Sequence, residues 1–387
     1  MIDEQTRKIA VLTQPLGKNY GGILQAYALQ VVLKELGHQV WTVDRQHPPE
    51  NPEHYKRLKL MVKRMIFKVI FFKPVVVRTW PTKKESDQIY RNNLIFIDQY
   101  IRRTERIDKP EDMTLLKKYL FDTYIVGSDQ VWRPRYSPYI PHYFLDFVNT
   151  DASVKKLAFS ASFGVDELEY TSEQLAVCAP LAKRFDAISV REDSAIKLCH
   201  EHFGVNAVQT FDPTLLLEKE YYEALVHNDN IPKSKGSLMS YVLDVKPEKM
   251  EIIEQVTRIS GLTEFSVFPR KVFKKVGKKG LQDCVYPPLT AWLRGFMDAD
   301  YIVTDSFHGT VFSIIFNKPF IAIGNASRGI SRFTSLLDFF GLGERLVLTD
   351  TVLSPDVINK PIDWEKVNGL KAAKKEEAMN FLRNSLK

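Results

Sequence analysis

Short apolar runs alternate with helical patterns along most of this chain, and this alternation limits its fold more than any other feature. Residues 8–13 form a short apolar run, and after a glycine-bearing loop a helical pattern extends over residues 24–36. Residues 39–44 indicate a second strand. A strand, a helix and another strand in this order predict a right-handed crossover and a parallel sheet.

The alternation falls into two series, which indicates two domains. Further strand-like runs of the first series are 123–126, 157–160 and 187–190. The second series begins after about residue 210 and contains the runs 237–243, 264–268, 301–304 and 320–323. A chain of 387 residues also exceeds the size at which one hydrophobic core usually stops growing.

We therefore predict an α/β protein with two Rossmann-like domains whose parallel sheets face a cleft. Residues 1–210 form the predicted first domain and residues 211–360 the second, while 361–387 form a helix that packs back on the first domain. Ligands of such sheets bind beyond the carboxyl ends of the strands, so the cleft is the expected site.

The charge balance favours anionic partners without choosing among them. The net charge of +7 arises from 54 basic and 47 acidic residues, which suits small anions, nucleic acid or a phospholipid surface. The sequence carries no zinc-finger, Walker-A or RNA-recognition signature. We therefore expect no nucleic-acid partner.

The cysteines and the N-terminus indicate the compartment. Cys178, Cys199 and Cys284 lie far apart, a spacing that supports neither a disulfide framework nor a structural zinc site. No ligand-spaced cluster of His and Asp suggests another metal. The first residues lack the basic start and apolar middle of a secretion signal. We expect a cytoplasmic protein that binds no metal.

Residues 55–84 depart from the alternation and form a basic amphipathic insertion. They contain ten Lys or Arg residues and no acidic residue. On a helical wheel one face collects the apolar residues Leu58, Met61, Val62, Met65, Ile66, Val69 and Phe72. One interpretation is a helix that lies on the inner face of the cytoplasmic membrane; the other is a helix that caps the core and exposes a basic face. The expected membrane contacts are Arg57, Lys63, Arg64, Lys68 and Phe72.

Polar and glycine residues follow two strands of the first domain. The run from Asn19 through Tyr20 and Gly21 to Gly22 lies between the first strand and helix, where free amides attract ligands, although such glycines also serve as plain turn residues. After the strand at 123–126, the side chains of Ser128, Asp129 and Gln130 are suited to sugar hydroxyls, and Trp132 to a sugar ring face. A structural role for Asp129 and Trp132 stays open.

Charged residues also follow later strands. Arg191 comes directly after the strand at 187–190 and is suited to clamping a carboxylate or phosphate, or equally to an ion pair with Glu192, Asp193 or another neighbouring acid. In the second domain, an apolar strand ends in Asp305 and Ser306, and His308 stands at the start of the next helix. The amides of Gly309 and Thr310 are predicted to hold an anion there. Two further cations, Arg328 and Arg332, follow the next strand.

A second basic run carries no acidic residue and lies in a glycine-containing stretch of the second domain. Its members are Arg270, Lys271, Lys274, Lys275, Lys278 and Lys279. Such runs are usually solvated surface, and the other interpretation is a loop that gathers a phosphorylated donor.

Taken together and in order, these motifs resemble the polysaccharide pyruvyl transferase family. The resemblance rests on the segments 19–22 with 24–29, 127–132, 189–192, 212–213 and 306–310 with 317–319. It implies a fold similar to GT-B glycosyltransferases, phosphoenolpyruvate as the donor and a pyruvate ketal on a surface glycan as the product. By that likeness His308 falls on the family's histidine and Arg191 on a cleft arginine.

The chain departs from the family at one position. Some members carry an arginine two residues before the histidine, where this chain has Ser306. The donor's carboxylate or phosphate then needs another cation, for which Arg328 and Arg332 are the candidates.

The resemblance implies transfer of a carboxyethylidene group from phosphoenolpyruvate to two hydroxyls of a sugar. We expect His308 to act as acid or base, with Asp129 or Asp305 orienting a hydroxyl. The donor side comprises Arg191, Ser306, Gly309, Thr310, Arg328 and Arg332. The acceptor side comprises Asn19, Tyr20, Gly21, Gly22, Ser128, Gln130 and Trp132.

Phosphoenolpyruvate is then a co-substrate, no cofactor is needed, and the basic insertion suggests a lipid-linked acceptor at the cytoplasmic membrane surface. Two other functions stay open on the sequence: a glycosyltransferase that uses a nucleotide sugar, and a non-catalytic binding protein of glycan assembly.

Overall fold

Two parallel sheets, each covered by helices, form the protein. This computed structural model describes residues 6–47, 54–148, 153–324 and 329–387. The predicted α/β class with two Rossmann-like sheets is confirmed, because every strand pair in both sheets is parallel.

The first sheet has six strands in the order β2-β1-β3-β4-β5-β6. The strands are β1 (Lys8–Leu12), β2 (Gln39–Thr42), β3 (Thr123–Val126), β4 (Lys155–Ala161), β5 (Ala187–Val190) and β6 (Val208–Gln209). The central strands are almost wholly buried, as expected for a parallel sheet with both faces covered.

The second sheet has five strands in the order β11-β10-β9-β7-β8. They are β7 (Leu238–Tyr241), β8 (Glu264–Ser266), β9 (Tyr301–Thr304), β10 (Phe320–Ile323) and β11 (Leu346–Val347). The first sheet thus ends at Gln209 and the second begins at Leu238, with no strand of either sheet between them.

Fourteen α-helices connect and cover the strands in the described part of the chain. Those before β7 are α1 (Tyr20–Glu35), α2 (His54–Val69), α3 (Lys83–Ile89), α4 (Arg91–Tyr100), α5 (Ser172–Ala182), α6 (Asp193–Leu198) and α7 (Lys219–Asn228). Those after β7 are α8 (Pro247–Ser260), α9 (Phe273–Val276), α10 (Leu289–Asp298), α11 (Phe307–Ile315), α12 (Ser331–Phe339), α13 (Pro355–Asn359) and α14 (Trp364–Leu386).

The last helix, α14, lies against the first domain. Its Phe381 ring is 6.1 Å from that of Phe159 on β4, and the Lys155 ammonium donates to the Ser385 carbonyl at 3.1 Å. Burial of Val367, Ala378, Leu382 and Leu386 joins the helix to the main core. The chain therefore ends on the domain with which it begins.

No helix in the four described ranges combines the length and the apolarity needed to cross a bilayer.

Candidate active site

A group of charged side chains gathers where the carboxyl ends of the two sheets meet. Asp129 follows β3, Arg191 follows β5, and Asp212 follows β6. His308 lies in the first turn of α11, directly after β9 of the second sheet. Parallel strands point their carboxyl ends to one edge, so residues far apart in sequence meet there.

Asp212 lies at the centre of this group. Its Oδ2 accepts a hydrogen bond from Arg191 Nη1 at 2.9 Å and one from Ser128 Oγ at 3.3 Å. The His308 Nε2 atom lies 3.4 Å from the same oxygen, an ion-pair distance without the alignment of a full hydrogen bond. The Thr214 hydroxyl donates to Oδ1 at 2.7 Å. A carboxylate that follows the first sheet therefore contacts a basic side chain of each domain.

These neighbours keep the Asp212 carboxylate ionised. Burial alone would raise its pKa, but the nearby charge of His308, the Arg191 guanidinium and the Thr214 hydrogen bond outweigh that effect and hold the pKa well below the usual carboxyl range. The site therefore contains a buried carboxylate that is bonded to Arg191 and faces His308.

Arg191 is buried with one edge of its guanidinium unbonded. Its Nη2 lies 3.7 Å from Asp129 Oδ1 and its Nε lies 3.9 Å from Glu192 Oε2, both beyond hydrogen-bond distance. Within the described ranges, neither nitrogen has a hydrogen-bond acceptor. The Nε–Nη2 edge is the one with which arginine binds a carboxylate or phosphate with two parallel bonds. This buried edge is suited to an anionic ligand.

Glu192, the next residue in the chain, lies beside the same Arg191 guanidinium. Its Oε1 accepts hydrogen bonds from Ser162 Oγ at 2.9 Å, from the Phe163 amide at 2.8 Å and from the Gly164 amide at 3.0 Å. Its Oε2 is buried and lacks a hydrogen-bond partner among the residues that the structure describes. The loop after β4 therefore holds Glu192 with one oxygen directed toward Arg191.

Arg332 brings a second guanidinium to the group. It lies over the Phe307 ring at 5.5 Å, and Arg191 lies over the same ring at 4.4 Å. Burial, followed by the Arg191 charge, lowers the pKa of Arg332 to about 10, although the charges of Glu192 and Asp129 act in the opposite direction. The structure thus brings Arg332 beside Arg191.

A glycine lets His308 approach the first domain. Helix α1 begins at Tyr20, after Asn19, whose side chain accepts from the Gly21 amide at 3.2 Å. A methyl group placed on Gly21 would lie 2.1 Å from His308 Cγ, far inside van der Waals contact. A methyl group on Gly22 would lie 3.4 Å from Asp129 Oδ2, an ordinary contact. The imidazole therefore packs directly on the backbone of α1.

Replacing Gly21 with alanine is expected to displace the imidazole and to lower turnover by about 100-fold, the cost of a misplacement of roughly 1 Å. The matched comparison is Gly22→Ala in the same helical turn, where the methyl group fits and the loss is expected to be much smaller. Steady-state kinetics and thermal unfolding of both variants measure the difference. Equal losses in the two variants would show that the contact between Gly21 and His308 does not set the geometry.

Asp212 is also expected to make stability depend on pH. A carboxyl whose pKa is depressed by folding stabilises the protein above its ordinary pKa near 3.8, and this contribution is lost as the pH falls below that value. In Asp212→Asn, the free energy of unfolding should therefore fall less steeply below about pH 4 than in the unmodified protein. Urea unfolding at a series of pH values measures both slopes, and parallel curves would contradict the assignment.

Asp305, predicted to orient a hydroxyl, is instead used within the second domain. Its Oδ2 accepts from Lys249 Nζ at 2.5 Å and from the Asp244 amide at 3.2 Å, while Oδ1 accepts from the Leu243 amide at 2.6 Å. The Asp305 side chain is wholly buried. Because both oxygens are occupied by these donors, Asp305 serves the packing of the second domain and the catalytic prediction for it is wrong.

Two aromatic residues predicted on the acceptor side belong to the core. Trp132 stacks on Phe144 at 5.2 Å, and its ring nitrogen donates to the Tyr143 carbonyl at 2.8 Å. The Tyr20 hydroxyl donates to the Pro287 carbonyl at 2.7 Å and so ties α1 to the second domain. Both side chains are about 1% exposed, so neither offers a face to a sugar ring.

The N-terminus of α11 differs from the prediction, because the amides of Gly309 and Thr310 are not free. The Ser306 hydroxyl accepts from the Gly309 amide at 3.3 Å, and the Ser306 carbonyl accepts from the Thr310 amide at 3.0 Å. Ser306 therefore caps α11, and the two amides predicted to hold an anion are already bonded.

The remaining predicted residues lie around the group. Ser128 contacts Asp212 as described, and Gln130 Oε1 accepts from Arg133 at 3.0 Å. Asn19 is exposed at the N-terminus of α1. Arg328 lies outside the described residues. In the described ranges no three His, Cys, Asp or Glu side chains are grouped so that they could hold a metal ion.

Comparisons with known proteins bear on the family of this chain. A family model described as "Polysaccharide pyruvyl transferase" matches residues 19–327, most of the chain. No curated protein matches the sequence.

The chain is also similar to solved structures. One is a glycosyltransferase from Rickettsia africae ESF-5, with 11% identity, a TM-score of 0.47, and coverage of 98% of this chain and 94% of that one. Another is UDP-N-acetylglucosamine 2-epimerase from Rickettsia bellii, with 11% identity, a TM-score of 0.48, and coverage of 99% and 97%. Similarity at this level carries no argument about activity or substrate.

Proposed function

The chain belongs to the polysaccharide pyruvyl transferase family, and from this premise we propose that it transfers a carboxyethylidene group from phosphoenolpyruvate to two hydroxyls of a sugar. The acceptor is proposed to be a lipid-linked precursor of a surface polysaccharide, such as a capsule or exopolysaccharide. Family membership supports a transferase acting on polysaccharide; the donor and the acceptor are the proposed parts.

One observation carries the choice of donor. Arg191 presents a buried two-pronged edge without a hydrogen-bond acceptor in the described part of the chain, beside the equally buried Nε2 of His308. Buried donors of this kind are normally satisfied, so they mark the place of a ligand. Phosphoenolpyruvate carries a carboxylate and a phosphate on one small carbon frame, and the pair Arg191 and Arg332 matches those two charges.

The reaction assigns separate tasks to the neighbouring groups. In the proposed sequence the His308 imidazolium gives its proton to the methylene carbon of phosphoenolpyruvate, while a sugar hydroxyl oxygen bonds to the adjacent carbon and its proton passes to Asp129. The carbon–oxygen bond to phosphate then breaks, phosphate leaves with the bonding electrons, and it takes up the proton held by Asp129. A second hydroxyl closes the ketal and loses its proton to the neutral imidazole. The arginines hold the carboxylate and the departing phosphate.

Access to this group requires movement of the domains in the proposed cycle. Arg191, Asp212 and His308 are each less than 5% exposed, and the contact between Gly21 and His308 closes the gap between the sheets. We propose that the structure is the closed form, which excludes water from the reacting groups, and that substrates enter when the domains separate.

The test is mass spectrometry of candidate lipid-linked sugars incubated with the protein and phosphoenolpyruvate. A gain equal to one carboxyethylidene group, with release of one phosphate, is the expected result. Parallel incubations contain nucleotide sugars in place of phosphoenolpyruvate. Transfer of a sugar from those donors would replace the proposal with a glycosyltransferase, and no transfer from either donor to any acceptor would favour a binding protein.

A further inference from the structure

The apolar face of the basic insertion is exposed. Helix α2 and the residues that follow it carry a continuous set of large apolar side chains that do not pack on the core. They are Leu58, Leu60, Val62, Met65, Ile66, Val69, Ile70, Phe71 and Phe72. Phe72 is 89% exposed. The interpretation of α2 as a helix that caps the core is therefore wrong, because its apolar face is turned to solvent.

The opposite side of α2 holds the insertion together. Arg64 donates from Nη1 to the Val76 carbonyl at 2.9 Å, and Arg57 lies over the Trp80 ring at 5.5 Å. Both arginines thus face the returning segment of the insertion rather than its outer surface. Lys59, Lys63 and Lys68 are exposed on the helix.

The returning segment fastens the insertion to the second domain. Arg78 forms a two-pronged ion pair with Glu85 at 2.6 and 2.7 Å and lies over the Phe273 ring of α9 at 5.4 Å. The Val76 side chain packs at Gly277, where an added methyl group would lie 2.9 Å from it. Helix α9 and its neighbours therefore adjoin the insertion.

This contact places the second basic run beside the first. Lys271, Lys274, Lys275, Lys278 and Lys279 are all exposed, and Val272 between them is 63% exposed. Among the described contacts of these lysines, none reaches Arg191, Asp212 or His308. The run therefore belongs with the insertion and not with the donor site.

We propose that residues 57–73 and 270–279, contributed by different domains, form one basic platform that binds the anionic surface of a lipid bilayer. Exposed apolar side chains enter the boundary between head groups and acyl chains, and the surrounding lysines meet anionic head groups. Nucleic acid would match the lysines but leaves the exposed leucines, isoleucines and phenylalanines without a counterpart. The combination of charge and exposed apolar surface thus favours lipid.

A platform built by both domains has a consequence for the site between them. A membrane contact shared by the insertion and α9 holds one element of each domain at the same surface. If the proposed function is right, the gap between the sheets then opens near the leaflet that carries a lipid-linked acceptor. The platform itself does not depend on that function.

Vesicle flotation tests both parts of the platform, residues 57–73 and residues 270–279. The full-length protein is mixed with vesicles of phosphatidylcholine alone, or of phosphatidylcholine with phosphatidylglycerol. The variants are Phe72→Ser in the insertion and Lys274→Glu with Lys275→Glu in the second domain. Matched controls are Val352→Ser, since Val352 is 87% exposed, and Lys197→Glu, since the Lys197 side chain is 74% exposed.

The expected result is flotation with anionic vesicles, at least a several-fold loss in each platform variant, and none in the controls. Transfer to a water-soluble acceptor fragment should be unchanged in all variants, which separates failure of the platform from failure of the proposed function. Absence of flotation would overturn the proposal, as would a loss confined to Phe72→Ser, which would restrict binding to α2. Displacement from vesicles by duplex DNA or RNA at equal charge would assign the surface to nucleic acid instead.

Discussion

Turnover is expected to fall by about two to four orders of magnitude when His308 is replaced by alanine, the usual range for loss of a general acid or base. The imidazole is buried between the domains, with Nε2 directed at the Asp212 carboxylate and no other acceptor in the described residues. In the proposed reaction it supplies the proton to the methylene carbon and later takes one from the second hydroxyl. Turnover is measured as the release of phosphate from phosphoenolpyruvate that depends on added sugar acceptor.

A second substitution separates catalysis from packing. His308→Gln keeps a polar side chain of similar reach beside Asp212 but offers no group that titrates near neutral pH. We expect a loss close to that of the alanine variant, an unfolding temperature near that of the unmodified protein, and loss of the pH dependence that the imidazole imposes on turnover. Near-normal turnover in His308→Gln would remove the imidazole from proton transfer.

Replacement of Arg191 by lysine is expected to raise KM for phosphoenolpyruvate by about 10- to 100-fold, equivalent to roughly 1.5–3 kcal/mol for a charge-assisted hydrogen bond. Lysine keeps a positive charge for Asp212 but loses the planar fork formed by Nε and Nη2. The Nη1 bond to Asp212 at 2.9 Å holds the guanidinium, and the fork has no hydrogen-bond acceptor among the described residues. Initial rates over a range of donor concentrations measure KM.

A buried arginine away from the site provides the control. Arg345 is wholly buried and donates to the Val357 carbonyl at 3.0 Å and to the Lys360 carbonyl. Arg345→Lys should cost stability through the same loss of a guanidinium and leave KM for the donor unaltered. If the two variants raise KM equally, the effect reflects general loosening of the fold and not a lost donor contact.

The sheets and the place of the site could be predicted because their signals are local. Largely apolar runs of four residues form the strands at 123–126, 187–190, 301–304 and 320–323 as expected. The carboxyl ends of such strands lie at one edge, so Asp129, Arg191 and His308 could be assigned to a common site from their positions alone. These residues meet because each follows a strand of a parallel sheet, and the order of strands and helices along the chain can be predicted from the sequence.

The partners of individual side chains could not be predicted in the same way. Asp305 and His308 follow the same strand but have different partners. Lys249 of α8 donates to Asp305, whereas His308 faces Asp212. Trp132 follows the same loop as Asp129 but packs on aromatic residues that lie elsewhere in the chain. These differences arise from packing between elements that are distant in sequence, and a local sequence pattern does not specify such packing.

Two acidic residues of the site were not proposed from the sequence. Asp212 precedes a proline, and Glu192 directly follows Arg191. Their positions directly after β6 and β5 were the available signal. The basic platform shows the same limit, because the insertion meets the second run through contacts between distant residues, Arg78 with Phe273 and Val76 with Gly277.

A crystal structure of the protein with phosphoenolpyruvate tests the central claim most directly. The donor is predicted to lie between the sheets with one anionic group on the Nε–Nη2 edge of Arg191, the other near Arg332, and its methylene carbon beside His308 Nε2. Density for phosphoenolpyruvate bound elsewhere, such as among Lys274, Lys275 and Lys278, with the space beside Arg191 and His308 empty, would contradict it.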